Sequence, residues 1–203
     1  AARVLRVLLT DPKKPWRTQA LAEEAAVSLG QVANVKSLLE ALEWIGNTDT
    51  GFLLKDPGSL LAEWSENSNY RKNVSKNYYT LKSVAEIEAD LARACDGEGI
   101  NYALTGFSGA ARYAPSVRYQ RAMAYVSRDV ERIAQNLSLK EVTSGANFTL
   151  LTPYDEGVLY GTRAVEGICI ASPVQVYLDL LGMKGRGEEA AQAILDEVIR
   201  RSW

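Results

Sequence analysis

The sequence predicts an α+β protein, on three observations. Capped helical periodicities recur along the chain, short apolar runs closed by glycine or proline lie between them, and the two alternate loosely. A polar run, "SENSNYRKNVSKN" (Ser65–Asn77), carries almost no apolar content and reads as a linker or exposed loop. The expected division is therefore a first domain over 1–64, a linker over 65–82 and a second domain over 83–203.

In the first block, "QALAEEAAVSLGQVANVKSLLEALEWI" (Gln19–Ile45) ends one apolar-striped helix and starts another at once. Leu21, Ala22 and Ala25 mark a face of the first. Ser28 is a good N-cap for the second, where Val32, Val35, Leu39 and Leu42 recur at three- and four-residue steps. Ala22 is small enough for a close crossing, and Val27 fills the corner between the helices. This is the arithmetic of a helix-turn-helix. The loop "GNTDTG" then predicts a hairpin, with Gly46 and Gly51 able to take positive φ and Asn47 between them. Trp44 and Trp64 are expected to pack, while Trp203 is either docked or loose.

Over about Val4–Pro57 this pattern resembles bacterial winged-helix regulators. Ala26 stands where they usually have glycine, and the left-handed turn expected there costs an alanine about 1 kcal/mol. The resemblance implies that the second helix enters the major groove of double-stranded DNA with Ser28, Gln31, Asn34 and Lys36 turned outward. Gln and Asn pair bidentately with adenine, and lysine reaches a guanine or a phosphate. Lys13, Lys14 and Arg17 precede the motif as natural phosphate contacts, and Asn47 joins the DNA-binding set from the wing. The alternative stays open: winged helices also serve as dimer or partner-binding modules, and this second helix carries one basic residue. "YRKNVSKNYY" (Tyr70–Tyr79) either tracks a nucleic-acid backbone or leads as an exposed loop into a strand.

The second block opens with Ser83 and Glu86 at capping-box spacing, followed by Ile87, Leu91 and Cys95 on one helical stripe. "INYALTG" (Ile100–Gly106) predicts a strand, and "SRDVERIAQNL" a helix starting at Ser127. "NFTLLTP" and "VEGICIASP" predict further strands. In "SPVQVYLDLLG", Ser172 caps, Pro173 takes the first helical position and Gly182 stops the helix. "GEEAAQAILDEVIRR" closes the chain as an amphipathic helix with Arg200 and Arg201 at its negative end.

"YALTGFSGAARYAP" (Tyr102–Pro115), a strand, a Gly-Ser turn and a helix, resembles the signature of nucleotidyltransferase-fold proteins. Active members hold nucleotide phosphates at that turn and two magnesium ions on an Asp-x-Asp of the next strand. Here that strand, "VRYQRAMAYV" (Val117–Val126), has neither Asp nor Glu, so the divalent ions lack ligands. Asp129 and Glu131 are the nearest substitutes, but they fall in the first turn of a helix, where acidic residues serve the dipole. Asp155 and Glu156 are the only other candidates. The expectation is a non-catalytic domain with no catalytic residues, no metal and no cofactor. Gly106, Ser108, Arg118 and Arg121, with Tyr113 nearby, form a candidate anion pocket.

The helix-turn-helix, "YALTGFSGAARYAP" and the ending "ASPVQVYLDLL…GRGEEAAQAIL" together resemble the AbiEi-type antitoxin and transcriptional regulator family of type IV toxin–antitoxin systems. That resemblance implies a DNA-binding repressor of its own operon, paired genetically with a nucleotidyltransferase-like toxin and without catalytic activity. It leaves open a ligand- or protein-binding module and, less favoured, a metal-dependent nucleotidyltransferase. Asp179 sits at the family's acidic position. As a lone carboxylate on an apolar helix it is read as a structural hydrogen-bond acceptor.

Composition narrows the chemistry. The 203 residues are 47% apolar and contain no histidine, which removes Ser-His and Cys-His nucleophile pairs and imidazole-ligated zinc. Cys95 and Cys169 are isolated, so no disulfide framework or thiolate metal site is indicated. The net charge of −2 is spread unevenly, with seven basic and seven acidic residues in 1–58, four and two in 59–82, and twelve and sixteen in 83–203. An acidic total leaves room for a nucleic-acid face but argues against strong non-specific DNA binding. No apolar run approaches the ~18 residues of a membrane span, so a cytoplasmic protein without a membrane partner is expected; the sequence leaves the oligomeric state, monomer or dimer, open.

Overall fold

A computed structural model describes residues 1–68, 70–114, 119–183 and 185–203. The chain divides into two compact units, Ala1–Ser68 together with Ile199–Trp203, and Asn69–Val198. The boundaries thus differ from the expected ones at both ends: the last five residues belong to the first unit. The reason is visible at Trp203, whose indole Nε1 donates to the Leu9 carbonyl at 3.1 Å.

The first unit runs α1 (Ala2–Thr10), α2 (Thr18–Glu24), α3 (Leu29–Ala41), β1 (Ile45–Thr48), β2 (Gly51–Leu54) and α4 (Pro57–Asn67). Its buried side chains come from every element: Val4 and Leu8 of α1, Leu21 of α2, Val32 and Leu39 of α3, Phe52 of β2 and Leu61 of α4. β1 and β2 form the expected hairpin in antiparallel register, Ile45 opposite Leu54 and Thr48 opposite Gly51. Trp16 adds an isolated bridge to Phe52, exchanging bonds of 2.7 and 2.9 Å. That close approach demands glycine at 51, where φ is +155° and a Cβ would lie 2.2 Å from the Trp16 carbonyl oxygen. α4 is capped by Asp56, which accepts from the Ser59 amide at 2.9 Å, with Pro57 in the first turn.

The second unit is built on a seven-stranded mixed sheet. Its strands are β3 (Val74–Tyr79), β4 (Tyr102–Leu104), β5 (Ala122–Val126), β6 (Lys140–Glu141), β7 (Phe148–Thr152), β8 (Arg163–Val165) and β9 (Ile168–Ile170), in the order β6-β3-β7-β5-β4-β9-β8. β5 runs parallel to β7 and β4 parallel to β9, and the remaining neighbours are antiparallel. The helices are α5 (Val84–Glu98), α6 (Gly106–Tyr113), α7 (Val130–Asn136), α8 (Pro173–Leu181) and α9 (Gly187–Ile194), the last continuing into a π-helical turn over Leu195–Ile199. Alternation along the strands sorts the two faces. Tyr102, Leu104, Ala122, Ala124, Phe148 and Leu150 join Ile87, Leu91 and Cys95 of α5 and Ile133 of α7 in one core. Tyr125 and Leu151 point the other way, into a smaller cluster with Val158.

Most of the local signals form as read. Ser83 and Glu86 make a reciprocal capping box, and α5 ends in a left-handed Gly99. Ser172 caps α8 through the Gln175 amide, with Gly182 at its end. Two readings are corrected. Residues 65–82, expected as a linker or exposed loop, hold the end of α4, a 3-10 turn at Tyr70–Lys72 and strand β3. Pairing with β7 over Val74–Tyr78 satisfies the backbone of β3, so a strand forms there although within it only Tyr78 is fully buried. Ser127 does not cap α7. Asp129 occupies that position with φ +56° and no capping bond from its side chain.

Candidate functional site

Two places in the fold gather the residues singled out above, one in each unit. The first is the α2–α3 corner. α2 closes with paired bonds, Ala26 amide to Glu23 carbonyl at 3.1 Å and Val27 amide to Ala22 carbonyl at 3.0 Å. This is a Schellman ending, whose left-handed residue is usually glycine. Here it is Ala26, with φ +51°. Ser28 then opens α3, its hydroxyl accepting from the Gln31 amide at 3.3 Å.

On α3, Val32, Val35 and Leu39 are buried and form the seam. Leu42, read as its fourth member, is 42% exposed. The helix stops at Ala41, and a second left-handed residue, Glu43, turns the chain so that the Trp44 amide bonds to the Leu39 carbonyl. That turn carries Leu42 off the seam. Trp44 and Trp64 are half-buried.

Ser28, Gln31 and Asn34 are exposed, as are Lys13, Lys14, Arg17 and Asn47. Not all of these cations stand clear. Lys36 is half-buried, its ammonium 3.3 Å from Glu40 and 5.4 Å from the Phe52 ring centre. Lys14 lies 3.9 Å over the Trp16 ring, and Arg17 donates to the Thr50 carbonyl at 3.3 Å. A shallow depression joins Lys14 and Arg17 to Glu23 and Glu24. Sequence reading missed two exposed leucines on α3, Leu29 at 55% and Leu38 at 60%. Leu38 follows Gln31 by two helical turns and shares its flank.

The second place lies in the Asn69–Val198 unit, beside the Gly-Ser turn after β4. Gly106 has φ +56°, and a Cβ there would meet the Met183 Cε at 2.4 Å. Ser108 is fully buried, and its hydroxyl accepts from the Met123 amide at 3.1 Å. Ser108 thus turns inward to packing and strand geometry, while Gly106 lies against Met183 and Met123. Tyr113 likewise turns away, donating to the Ala171 carbonyl at 2.8 Å. Arg118 lies outside the described residues.

Arg121 is placed differently. It lines an open crevice of about 1250 Å³. Its Nε donates to Thr149 Oγ1 at 2.8 Å and one Nη to Asn77 Oδ1 at 2.6 Å. Arg71, from the cationic run Tyr70–Tyr79, and Arg186, which was not singled out as a site residue, line the same crevice. No carboxylate is among its described lining residues, and no group of three or more His, Cys, Asp or Glu is arranged for a metal among the described residues. The donor set here does not fit magnesium, which asks for carboxylates.

The carboxylates considered as substitutes are held elsewhere. Glu131 pairs with Lys76 at 2.6 Å, which keeps its carboxyl below the usual range, and Asp129 pairs with Arg132 at 2.9 Å. Asp155 accepts from the Gly157 amide at 2.6 Å, and Glu156 is exposed.

Two buried carboxylates matter more. Asp179, 1% exposed, accepts from the Thr105 hydroxyl, from the Tyr125 hydroxyl at 2.9 Å and from the Gln175 amide at 2.9 Å. Glu88, fully buried and not foreseen, is held by Arg112 at 3.0 Å and the Tyr119 hydroxyl at 2.9 Å. Burial first, and then the Glu88 charge, pushes the Tyr119 phenol up to about 12. Both carboxylates are anchored by donors from other elements, joined at Asp179 by Gln175 of its own helix, which is a structural arrangement.

The sequence model of the family described as transcriptional regulator, AbiEi antitoxin, type IV toxin–antitoxin system matches residues 53–200. The chain belongs to this family. Neither the curated proteins nor the solved structures contain a match. The AbiEi-family match starts within β2 and takes in the whole of the Asn69–Val198 unit, including the crevice and the Asp179 network. α2 and α3 precede it. Membership makes this AbiEi-family chain a transcriptional regulator of the type IV toxin–antitoxin class. Among the described residues no helix is long and apolar enough to cross a membrane.

Proposed function

We propose that the first unit is a winged helix-turn-helix that binds operator DNA upstream of its own gene, with α3 as the reading helix and the β1–β2 hairpin as wing. One observation carries this: on α3 the Val32/Val35/Leu39 seam is buried while Gln31 and Asn34 stand exposed. A short helix supported along one side with free amides on the other suits major-groove readout. Lys13 and Arg17 supply phosphate contacts, with Lys14, Ser28, Lys36 and Asn47 at the edges. The pairings of Lys36 with Glu40 and of Arg17 with Thr50 make these weaker anchors in free protein. Modest non-specific affinity and strong dependence on base contacts follow. The second unit is read as a non-catalytic nucleotidyltransferase-like domain. The protein is then the antitoxin that represses its own operon, paired genetically with a nucleotidyltransferase-like toxin.

The exposed Leu29, Leu38 and Leu42 favour a second reading, in which α3 docks another protein surface. A mobility-shift assay with the upstream DNA separates the two. Changing Gln31 and Asn34 together to Ala should abolish preference for that fragment over competitor DNA, by about 2–6 kcal/mol for two bidentate contacts, while leaving the fold intact. Retained preference in the double variant refutes the groove assignment. Loss of toxin neutralisation with unchanged DNA binding in a Leu38→Ser variant would favour the docking reading.

A further inference from the structure

We propose that the crevice of the Asn69–Val198 unit is a binding site for a nucleoside di- or triphosphate taken up without a metal ion. The site is distinct from the DNA-reading helix and requires nothing of it.

Charge is the first argument. Arg71, Arg121 and Arg186 all line the crevice, and no Asp or Glu is among its described lining residues. Three guanidiniums around one concave space match a polyphosphate, since the planar fork of arginine meets phosphate oxygens in pairs. Arg121 is already oriented for this, because Thr149 and Asn77 fix two of its nitrogens.

Size and lining give the second argument. The volume of about 1250 Å³ far exceeds what an inorganic phosphate fills. Tyr70, Phe107 and Tyr119 contribute rings, and Met123 and Met183 contribute thioethers. Aromatic faces and sulfur give a planar heterocycle a surface to stack on. The Tyr70 ring rests against Gly182, where a Cβ would come within 2.4 Å of its Cδ1, so this ring is held in place. A ligand with a polyanionic end and a flat apolar end fits both halves of the lining.

The absence of carboxylates from the described lining decides how the phosphates are neutralised. Met123 and Arg121 occupy strand β5 and its approach at the crevice, so arginine does the work that a carboxylate-bound cation would do. The nucleotide is bound as a ligand, with no bond made or broken.

The test uses the full chain, purified in EDTA, and isothermal titration with ATP, ADP, inorganic triphosphate and a twelve-nucleotide single-stranded DNA. ATP or ADP should bind one per chain in EDTA, and adding magnesium should not tighten binding more than about twofold. Arg71→Ala and Arg186→Ala, both at exposed positions, should each weaken ATP binding about tenfold or more, as expected for lost charge-assisted hydrogen bonds. Phe107→Ala should weaken ATP while leaving triphosphate unchanged. Thermal melts identical to wild type show that the arginine variants stay folded. No saturable ATP or ADP binding at millimolar concentration overturns the proposal. So does binding that needs magnesium, or binding unchanged in both folded arginine variants. Tighter, arginine-dependent binding of the oligonucleotide than of ATP would also overturn it, assigning the crevice to single-stranded nucleic acid.

Discussion

Replacing Asp179 by alanine should be among the most damaging single changes in this protein, and its size can be worked out from its partners. The carboxylate is 1% exposed and accepts from the Thr105 hydroxyl, the Tyr125 hydroxyl and the Gln175 amide, which come from the end of β4, from β5 and from α8 itself. Alanine leaves three buried donors without this acceptor, and each orphaned donor costs about 1–3 kcal/mol. Hydroxyl rotors find substitute acceptors more easily than a side-chain amide does. The low end of the range therefore applies, about 3–4 kcal/mol in total. Asparagine keeps the shape and one acceptor oxygen, and should lose about half as much. Urea unfolding followed by far-ultraviolet circular dichroism measures both. An alanine variant that loses less than about 1 kcal/mol, or an asparagine variant worse than alanine, would show that the network does not hold α8 to the sheet. The position would then need a functional explanation.

Two further changes test other parts of the fold. Ala26→Gly should stabilise the first unit by about 0.5–1 kcal/mol, because it relieves a left-handed alanine but gains freedom in the unfolded chain. All four tryptophans belong to that unit, so tryptophan fluorescence in urea reads it directly, and a destabilised variant refutes the turn. Stability should also fall in acid: hydrogen bonds from Ser59 and Ser83 hold the Asp56 and Glu86 carboxyls below the usual range. Depressed folded values mean that the caps stabilise fully above the unfolded carboxylate range, about pH 4, and are lost as pH falls through the lower folded values. An Asp56→Ala, Glu86→Ala double variant should show a flatter decline between neutral and acidic pH, and an unchanged slope would refute the linkage.

Much of the fold was legible because its signals are local. A Ser28 or Ser172 hydroxyl reaches an amide three residues on, a stripe such as Ile87, Leu91 and Cys95 repeats with the helix, and the "GNTDTG" loop sits between two apolar ends. Each is decided within a few residues, whatever the rest of the chain does. The seam of α3 was legible except at its last member, because a left-handed turn at Glu43 is not encoded by a glycine.

The sequence by itself thus determined where α3, α5 and α8 begin, that the α2–α3 corner exists, and that the strand after the Gly-Ser turn brings no acid to hold a metal. Tertiary structure alone decided that the polar run over Val74–Tyr79 becomes a strand, since the backbones of β7 and β6 beside it make that possible. It also decided that Ser108 is buried against Met123 and that Glu88 is clamped by Arg112 and Tyr119. Arg71, Arg121 and Arg186 share one crevice for the same reason: residues distant along the chain meet only when a sheet and the helices on it close around a common space.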